Sequence, residues 1–256
     1  MATVTFIFQD YLKDLLKKKQ RGTASLIHQF DRKASIKDVV ESLGIPHPVI
    51  GSLIVNGDEV DFDYILRDSD NVEVKPLAAP LDPCVPTLLR PQALERISFL
   101  VDVNAGKLAQ YLRMLGFDTI YGNDLRDSRL AEMAKALERI LLTRDVSLLK
   151  RKIIIHGYLL RENSPRKQLV EIVRLYDLGN RIKPLTRCIS CNGMLVPVDK
   201  GDIMDRLEPL TKKYYHSFRI CEACGKIYWP GTHHEKIHVF IDEILAAVRQ
   251  DQNNAG

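Results

Sequence analysis

The segment SFLVDVNAGKLAQYLRMLGFDTIY, residues 98–121, contains two short apolar runs on either side of one helical repeat. The first run, 98–103, is apolar enough for a strand that is buried on both faces of a parallel sheet. Between the runs, Leu108, Leu112 and Leu115 recur at helical spacing, and Gly116 is a typical helix stop. A strand, a helix and a second strand in this order predict a crossover unit of a parallel α/β sheet.

The same alternation continues downstream of this segment. Further strands are predicted at 118–121, 140–143 and 153–155, and further helices at 128–138 and 165–178. Asp127 is expected at the N-cap of the first of these helices, and Gly179 at the end of the second. Residues 97–183 are therefore predicted to form a three-layer domain, with a parallel sheet between helices.

The first 76 residues have a different pattern. Strands are predicted at 3–8, 23–30, 52–57 and 71–75, and a helix follows the capping residue Ser35 and ends at Gly44. This ββαββ order is typical of a β-grasp domain. Residues 77–96 follow as a predicted extended linker, because prolines interrupt any helical or strand period there. The prolines of this stretch and its border are Pro76, Pro80, Pro83, Pro86 and Pro91.

Composition places the chain among ordinary globular proteins. Its 256 residues are 45% hydrophobic and 27% charged, and no run of 18 apolar residues is present, which excludes an apolar membrane span. The N-terminus lacks the features of a secretory signal, so we expect a cytoplasmic protein without membrane contact. Residues 129–187 contain 14 Lys and Arg against 6 Asp and Glu, which favours a polyanionic partner over a merely solvated surface.

Acidic residues follow the predicted strands of the α/β domain. Asp102 lies near the end of the first strand, Asp145 directly follows the strand 140–143, and Asp124 and Asp127 lie in the loop after the strand 118–121. Because the carboxyl ends of parallel strands share one edge, these acids are expected to lie together and to hold Mg²⁺ or Mn²⁺ for phosphodiester hydrolysis. Simpler interpretations remain open: Asp127 as a helix cap, Asp145 as a turn cap, and Asp124, like Asp118, as a surface or turn residue.

Several basic residues are candidates for binding the phosphate backbone of RNA near this edge. Lys107 and Arg113, on the helix after Asp102, are candidates for contact with a scissile phosphate, although such residues are more often plain surface charges. The further candidates are Arg144, Arg166 and Lys167.

Four of the five cysteines form two CxxC pairs, Cys188 with Cys191 and Cys221 with Cys224. This spacing predicts a zinc ribbon over residues 184–240, with one structural Zn²⁺ held by four thiolates. Beside it, Trp229 and His233 are candidate RNA contacts, with packing and an ordinary surface histidine as the alternatives. A C-terminal helix and tail are predicted at 241–256, and Cys84 has no expected role.

Residues 98–240 resemble the Mut7-C ribonuclease family. The matching pieces, in family order, are FLVDVNAGKLAQYLRMLGFDT, DSRLAEMAKALERILLTRDVSLL, SPRKQLVEIV, CISC and CEACGKIYWPGTHHEKI. The resemblance implies a PIN-like nuclease domain fused to a zinc ribbon, and a metal-dependent ribonuclease activity. It also implies that Asp102, Asp127 and Asp145 are acids of the site. Such sites usually have a fourth acid, for which no residue here matches the family pattern, and we take Asp124 as the candidate.

Residues 1–76 resemble the ubiquitin-like, sulfur-carrier-type domain that accompanies part of that family. Sulfur carriers act through a free C-terminal Gly-Gly, whereas this segment continues through Val74, Lys75 and Pro76 into the rest of the chain. The favoured hypothesis is therefore a ribonuclease whose ubiquitin-like domain contacts a protein or ribosomal partner. The alternatives are a non-catalytic RNA- or ribosome-binding adaptor and, more distantly, a sulfur-transfer accessory protein.

Overall fold

The computed structural model describes residues 1–254, with side chains throughout except at 232, 233 and 252–254. Three sheets follow one another along the chain: a mixed sheet of five strands, a parallel sheet of four strands and an antiparallel sheet of three strands. None of the helices in this described range is both long enough and apolar enough to cross a bilayer.

The N-terminal unit is a five-stranded sheet in the order β2-β1-β5-β3-β4, with β1 and β5 parallel at its centre. Alternate residues of β1, among them Phe6 and Phe8, are buried against α2. Ser35 caps α2 by accepting a hydrogen bond from the Asp38 amide at 3.1 Å, as predicted. The elements are β1 Ala2–Phe8, α1 Leu12–Leu15, β2 Ser25–Phe30, α2 Ile36–Leu43, β3 Ile50–Val55, β4 Asp58–Glu59 and β5 Asn71–Pro76.

Residues 77–98 contain no helix or strand in the described structure, but they are fixed to both neighbouring units. Arg90 is buried and donates to the carbonyls of Pro48 at 2.7 Å and Ile50 at 2.8 Å. On the other side, the Leu81 amide donates to the Leu175 carbonyl at 2.7 Å. The proline-rich stretch therefore joins the two units through buried hydrogen bonds.

The central sheet is parallel throughout, in the order β7-β6-β8-β9, which confirms the predicted α/β class. Its strands are short and almost fully buried, as their continuous apolar runs require. The elements are β6 Phe99–Val101, α3 Gly106–Met114, β7 Thr119–Tyr121, α4 Asp127–Ala136, β8 Ile140–Thr143, α5 Val146–Leu149, β9 Gly157–Leu159 and α6 Pro165–Leu175.

The two faces of this sheet belong to different apolar clusters. Phe99 and Val101 of β6 pack with α3, α6 and the C-terminal helix, whereas Leu100 packs with α4 and with the core of the N-terminal unit. His47 of that unit also reaches across, placing its Nε2 2.7 Å from the Ile154 carbonyl oxygen. The N-terminal unit is thus part of the layer that covers the second face of the sheet.

Three local predictions are wrong. The fourth strand is Gly157–Leu159 rather than 153–155. The run IIIHGYLL contains two adjacent apolar segments that could each form a strand, and the first of them is part of a turn in which the Ile154 amide donates to the Arg151 carbonyl. Asp127 is the first residue of α4, and Arg126 occupies the N-cap. Helix α6 ends at Leu175, three residues before the predicted end, and Gly179 begins a separate 3₁₀ turn.

The C-terminal part contains a small antiparallel sheet and a long helix. Ile241, Ile244 and Val248 of that helix are buried in the cluster that covers the first face of the central sheet. The helix runs through residue 240, the predicted end of the ribbon. The elements are β10 Leu195–Val198, α7 Pro209–Tyr214, β11 Phe218–Cys221, β12 Ile227–Tyr228 and α8 Thr232–Asn254.

Candidate active site and metal centre

Asp102 lies at the carboxyl end of β6 and is only 3% exposed. Its Oδ2 accepts a hydrogen bond from the Thr143 hydroxyl at 2.7 Å, and its Oδ1 accepts one from the Val103 amide at 2.6 Å. Both oxygens are therefore fixed in direction. A buried carboxylate is costly in an apolar strand, and these two donors offset that cost.

Thr143 connects Asp102 to a second acid. Its hydroxyl oxygen accepts a hydrogen bond from the Asp145 amide at 2.9 Å, and the Asp145 carboxylate caps α5 by accepting from the Ser147 amide at 2.6 Å. At the carboxyl ends of β6 and β8, the Thr143 hydroxyl therefore connects the Asp102 carboxylate to the backbone of Asp145, whose own carboxylate is held at the start of α5. The sequence analysis did not single out Thr143. Its position two residues before Asp145, in LTRD, is the signal that could have identified it.

The remaining two candidate acids lie at the same edge, one on the loop after β7 and one at the start of α4. Asp124 and Asp127 follow β7, and both side chains are exposed. Among the described residues, the four cysteines are the only group of three or more Cys, His, Asp or Glu placed to hold one metal ion. The acids thus do not form a closed cage. Magnesium commonly takes only one or two carboxylates, with waters and substrate phosphate completing its shell, and Asp102 with Asp145 fits that requirement.

Four of the predicted cations lie at this edge, because each follows a strand of the parallel sheet or begins the next helix. Arg144 directly follows β8, and Arg166, which pairs with Glu243 of α8, belongs to the first turn of α6. All four side chains are exposed to solvent. The four are Lys107, Arg144, Arg166 and Lys167.

Arg113 lies elsewhere, so its predicted position near the acids is wrong. It is buried at the far end of α3, where its Nε donates to the Thr119 carbonyl at 2.9 Å and its Nη1 to the Ser190 carbonyl at 2.9 Å. A nine-residue helix is about 13.5 Å long, which separates its last turn from Asp102. Arg113 therefore joins α3 to the first CxxC knuckle.

The four cysteines converge as predicted, and their Sγ atoms all lie within 4.8 Å of one another. The Sγ atoms of Cys188 and Cys224 are 3.7 Å apart, and those of Cys191 and Cys221 are 3.4 Å apart. Tetrahedral zinc with Zn–S bonds of about 2.3 Å has S–S edges of about 3.8 Å. The cluster therefore has the ligands and the size for one zinc ion.

The environment of Cys188 favours its thiolate form. Burial opposes ionisation, but hydrogen bonds from the Tyr228 hydroxyl, with Sγ 3.1 Å from the oxygen, and from backbone amides lower the pKa of this thiol to about 6. The thiolate is the form that binds metal.

Asp118 ties the ribbon to the sheet. Its carboxylate receives two hydrogen bonds from Arg139, at 2.8 and 3.0 Å, and one from Asn192 in the first knuckle, at 2.8 Å. Burial would raise the pKa of Asp118, but these bonds and the charges of Arg139 and Arg187 hold it below its ordinary value. The interpretation of Asp118 as a surface residue is wrong, because its side chain is only 13% exposed and pairs with Arg139 and with Asn192 of the ribbon.

Trp229 is 38% exposed and packs against Tyr215 and Phe218, with ring centroids 6.5 Å apart in each case. One part of the indole packs within the ribbon, which is the packing role, while the rest faces a cleft. Its contact with RNA stays a prediction. The predicted contact His233 has its side chain outside the described residues.

Two family models match the chain. The Mut7-C RNAse domain matches residues 97–241, and the Mut7-C ubiquitin domain matches residues 1–82. Among curated proteins and solved structures, no match is found.

Proposed function

The chain belongs to the Mut7-C RNAse domain family, and from that premise we propose that it is a metal-dependent ribonuclease of the PIN-like type. The observation that carries this proposal is the hydrogen-bonded arrangement of the Asp102 carboxylate, the Thr143 hydroxyl and the Asp145 backbone at the carboxyl edge of a parallel sheet. This is the edge at which open α/β sheets place their ligands. A structural role alone does not require a buried carboxylate at the end of an apolar strand.

In the proposed reaction, the carboxylates of Asp102 and Asp145 would hold the metal at this edge, and Thr143 fixes the direction of Asp102. A divalent Mg²⁺ or Mn²⁺ bound there would supply an activated water and offset charge on the phosphate. Asp124, on the adjacent loop, and Asp127, at the start of α4, would complete the acidic set when substrate binds. The basic side chains of Lys107, Arg144, Arg166 and Lys167 would hold the phosphates on either side of the scissile bond.

The proposed zinc has a separate role. Four thiolates leave no open coordination position, so zinc in this centre is structural and stabilises the ribbon. The ribbon in turn is bound to the sheet through Arg113 and Asp118. We assign to the ribbon an auxiliary part in RNA binding.

The ubiquitin-like domain is proposed to support the nuclease sheet and to offer a contact for a protein or ribosomal partner. Its last strand, β5, leads directly into the buried hydrogen bonds of residues 77–98, so it has no free end for sulfur transfer. The proposed domain boundaries remain 1–76, 77–96, 97–183, 184–240 and 241–256.

A second candidate function is a non-catalytic RNA- or ribosome-binding adaptor. One observation favours it: among the described residues, no group of three carboxylates is placed to hold a metal ion. The two candidates are separated by incubating the full chain with a mixture of RNAs in Mg²⁺, in Mn²⁺ and in EDTA. The ribonuclease cuts RNA with one or both metals and not in EDTA, whereas the adaptor binds RNA in all three conditions and cuts none.

A further inference from the structure

A cleft of about 1010 Å³ lies between α3, the ribbon sheet and the first half of α8. Its walls carry aromatic rings from all three elements, namely Tyr111 of α3, Trp229 of the ribbon and Phe240 of α8. This volume is at the upper end of the range for small-molecule sites, roughly 300–1,000 Å³.

The charged groups in the wall of the cleft are all basic. Arg219, Lys226 and Lys236 line it, and none of the described lining residues is acidic. Arg219 donates to the Leu195 carbonyl and Lys226 to the Ser190 hydroxyl, which are neutral partners. No ion pair within the described part of the chain involves these three cations, so the cleft keeps its positive charge.

Flat rings beside uncompensated positive charge suit a ligand that has flat faces and a negative backbone. Unpaired nucleotides have both, because their bases stack on aromatic side chains while their phosphates attract Lys and Arg. A base-paired duplex hides the faces of its bases within its own stack. The chemistry of the cleft therefore favours single-stranded RNA over duplex RNA.

Two cations at the acidic edge of the sheet contact aromatic rings of the cleft wall. The rings of Tyr111 and Phe240 lie 4.8 Å apart, centroid to centroid, at the end of the cleft formed by α3 and α8. The Lys107 Nζ lies 5.3 Å from the Tyr111 ring centroid, and the Arg166 guanidinium lies 5.2 Å from that of Phe240. Both cations stand at the edge that carries Asp102, and one helical turn, roughly 6 Å, separates Lys107 from Tyr111.

We propose that this cleft binds unpaired nucleotides of the RNA substrate and leads the strand past Lys107 and Arg166 to Asp102. The link to cleavage rests on the proposed ribonuclease function, but the binding of single-stranded RNA does not. Substrate choice follows from this path: a strand with an unpaired segment reaches the acids, and a blunt duplex does not.

Trp229 is the only tryptophan of the chain, so tryptophan fluorescence reports on this one residue in the wall of the cleft. A single-stranded oligoribonucleotide of about 12 nucleotides is titrated into zinc-loaded full-length protein carrying Asp102→Asn, which prevents cleavage. We expect saturable quenching by the single strand and none by a blunt duplex of the same length. Equal quenching by the duplex would overturn the assignment to unpaired bases.

Variants measured by fluorescence anisotropy of a labelled strand give a second test. Trp229→Ala should weaken binding about tenfold and Trp229→Phe much less, since phenylalanine keeps a stacking face. Lys236→Glu, an exposed change that leaves the ribbon core intact, should weaken binding severalfold and lower the salt dependence by about one charge. Lys33→Glu, an equally exposed change in the ubiquitin-like domain, is the matched control and should bind normally.

Two results separate this inference from the proposed function. Single-strand binding seen by anisotropy, with unchanged Trp229 fluorescence and normal binding by Lys236→Glu, would place RNA elsewhere and overturn the cleft assignment. Quenching by single strands together with no cleavage by wild-type protein in Mn²⁺ would support the cleft and contradict the ribonuclease.

Discussion

Replacing Asp118 with alanine removes the carboxylate that ties the ribbon to the parallel sheet. The Arg139 guanidinium then keeps only backbone carbonyls as hydrogen-bond partners, among them the Phe99 carbonyl at 3.2 Å. The Arg139 side chain is only 9% exposed, so water cannot replace the lost carboxylate. Removing one partner of a buried ion pair lowers the free energy of unfolding by about 3–5 kcal/mol. Because Arg139 keeps its carbonyl partners, we expect a loss of about 3 kcal/mol from this pair. The lost contacts to Asn192 and Arg187 add roughly 1 kcal/mol.

The expected loss of unfolding free energy is therefore about 4 kcal/mol, a large share of the 5–15 kcal/mol that is typical of native proteins. With a denaturant slope of about 2 kcal/mol per molar urea, the unfolding midpoint should fall by about 2 M. Trp229 fluorescence reports the ribbon in this assay, and far-UV circular dichroism reports the sheets. Asp205→Ala, an exposed ribbon acid, is the control and should change the free energy by less than about 0.5 kcal/mol.

The pH dependence supplies a second check on the same residue. The pKa of Asp118 is lower in the folded protein than its ordinary value of 3.8. The stabilisation that the carboxylate provides is therefore complete above pH 3.8 and is lost as the pH falls through the lowered pKa. The difference between wild type and Asp118→Ala should thus persist at pH 5 to 7 and vanish only in stronger acid. An Asp118→Ala midpoint within about 0.5 M of the Asp205→Ala midpoint at pH 7 would refute the anchoring role.

Three further outcomes are expected. Cys221→Ser should reduce bound zinc from one ion per chain to none and lower the melting temperature, since structural zinc contributes folding free energy of order 10 kcal/mol; unchanged zinc content and melting would contradict the four-thiolate centre. Thr143→Val should slow RNA cleavage roughly 10- to 100-fold by releasing Asp102, with Thr143→Ser restoring the rate; equal rates for all three proteins would remove Thr143 from the site. Arg90→Met should cost about 2–3 kcal/mol in urea unfolding, because the Pro48 and Ile50 carbonyls lose a charged donor; a change below 0.5 kcal/mol would show that these bonds do not hold the units together.

The sequence predicted most elements of the parallel domain because their signals are local. The apolar run around Leu100, the helical spacing of Leu108 and Leu112, and the glycine stop at Gly116 all have the structural outcome that the pattern indicated. The position of β9 failed because the run IIIHGYLL is apolar on both sides of His156, and periodicity cannot choose between two adjacent segments.

The parts that could not be predicted depend on contacts between distant residues. Thr143 and Asp102 are 41 positions apart, and Asn192 and Asp118 are 74 positions apart. Each is an ordinary polar residue in its local context, and only the sheet order and the docking of the ribbon bring the partners together. Arg113 was misplaced for a related reason: its sequence distance from Asp102 is small, but a helix carries it to the other end of the sheet.

The most direct test of the proposed ribonuclease compares RNA cleavage by the wild-type protein and by Asp102→Asn. Both proteins are zinc-loaded and measured in Mn²⁺. Asparagine keeps the size of the side chain but removes its charge, so circular dichroism and zinc content should match the wild type. We predict that the wild type cuts single-stranded RNA, that EDTA stops it, and that Asp102→Asn is inactive while still binding the strand. Equal cleavage by both proteins, or no cleavage by the wild type above the Asp102→Asn background, would contradict the assignment of the active site.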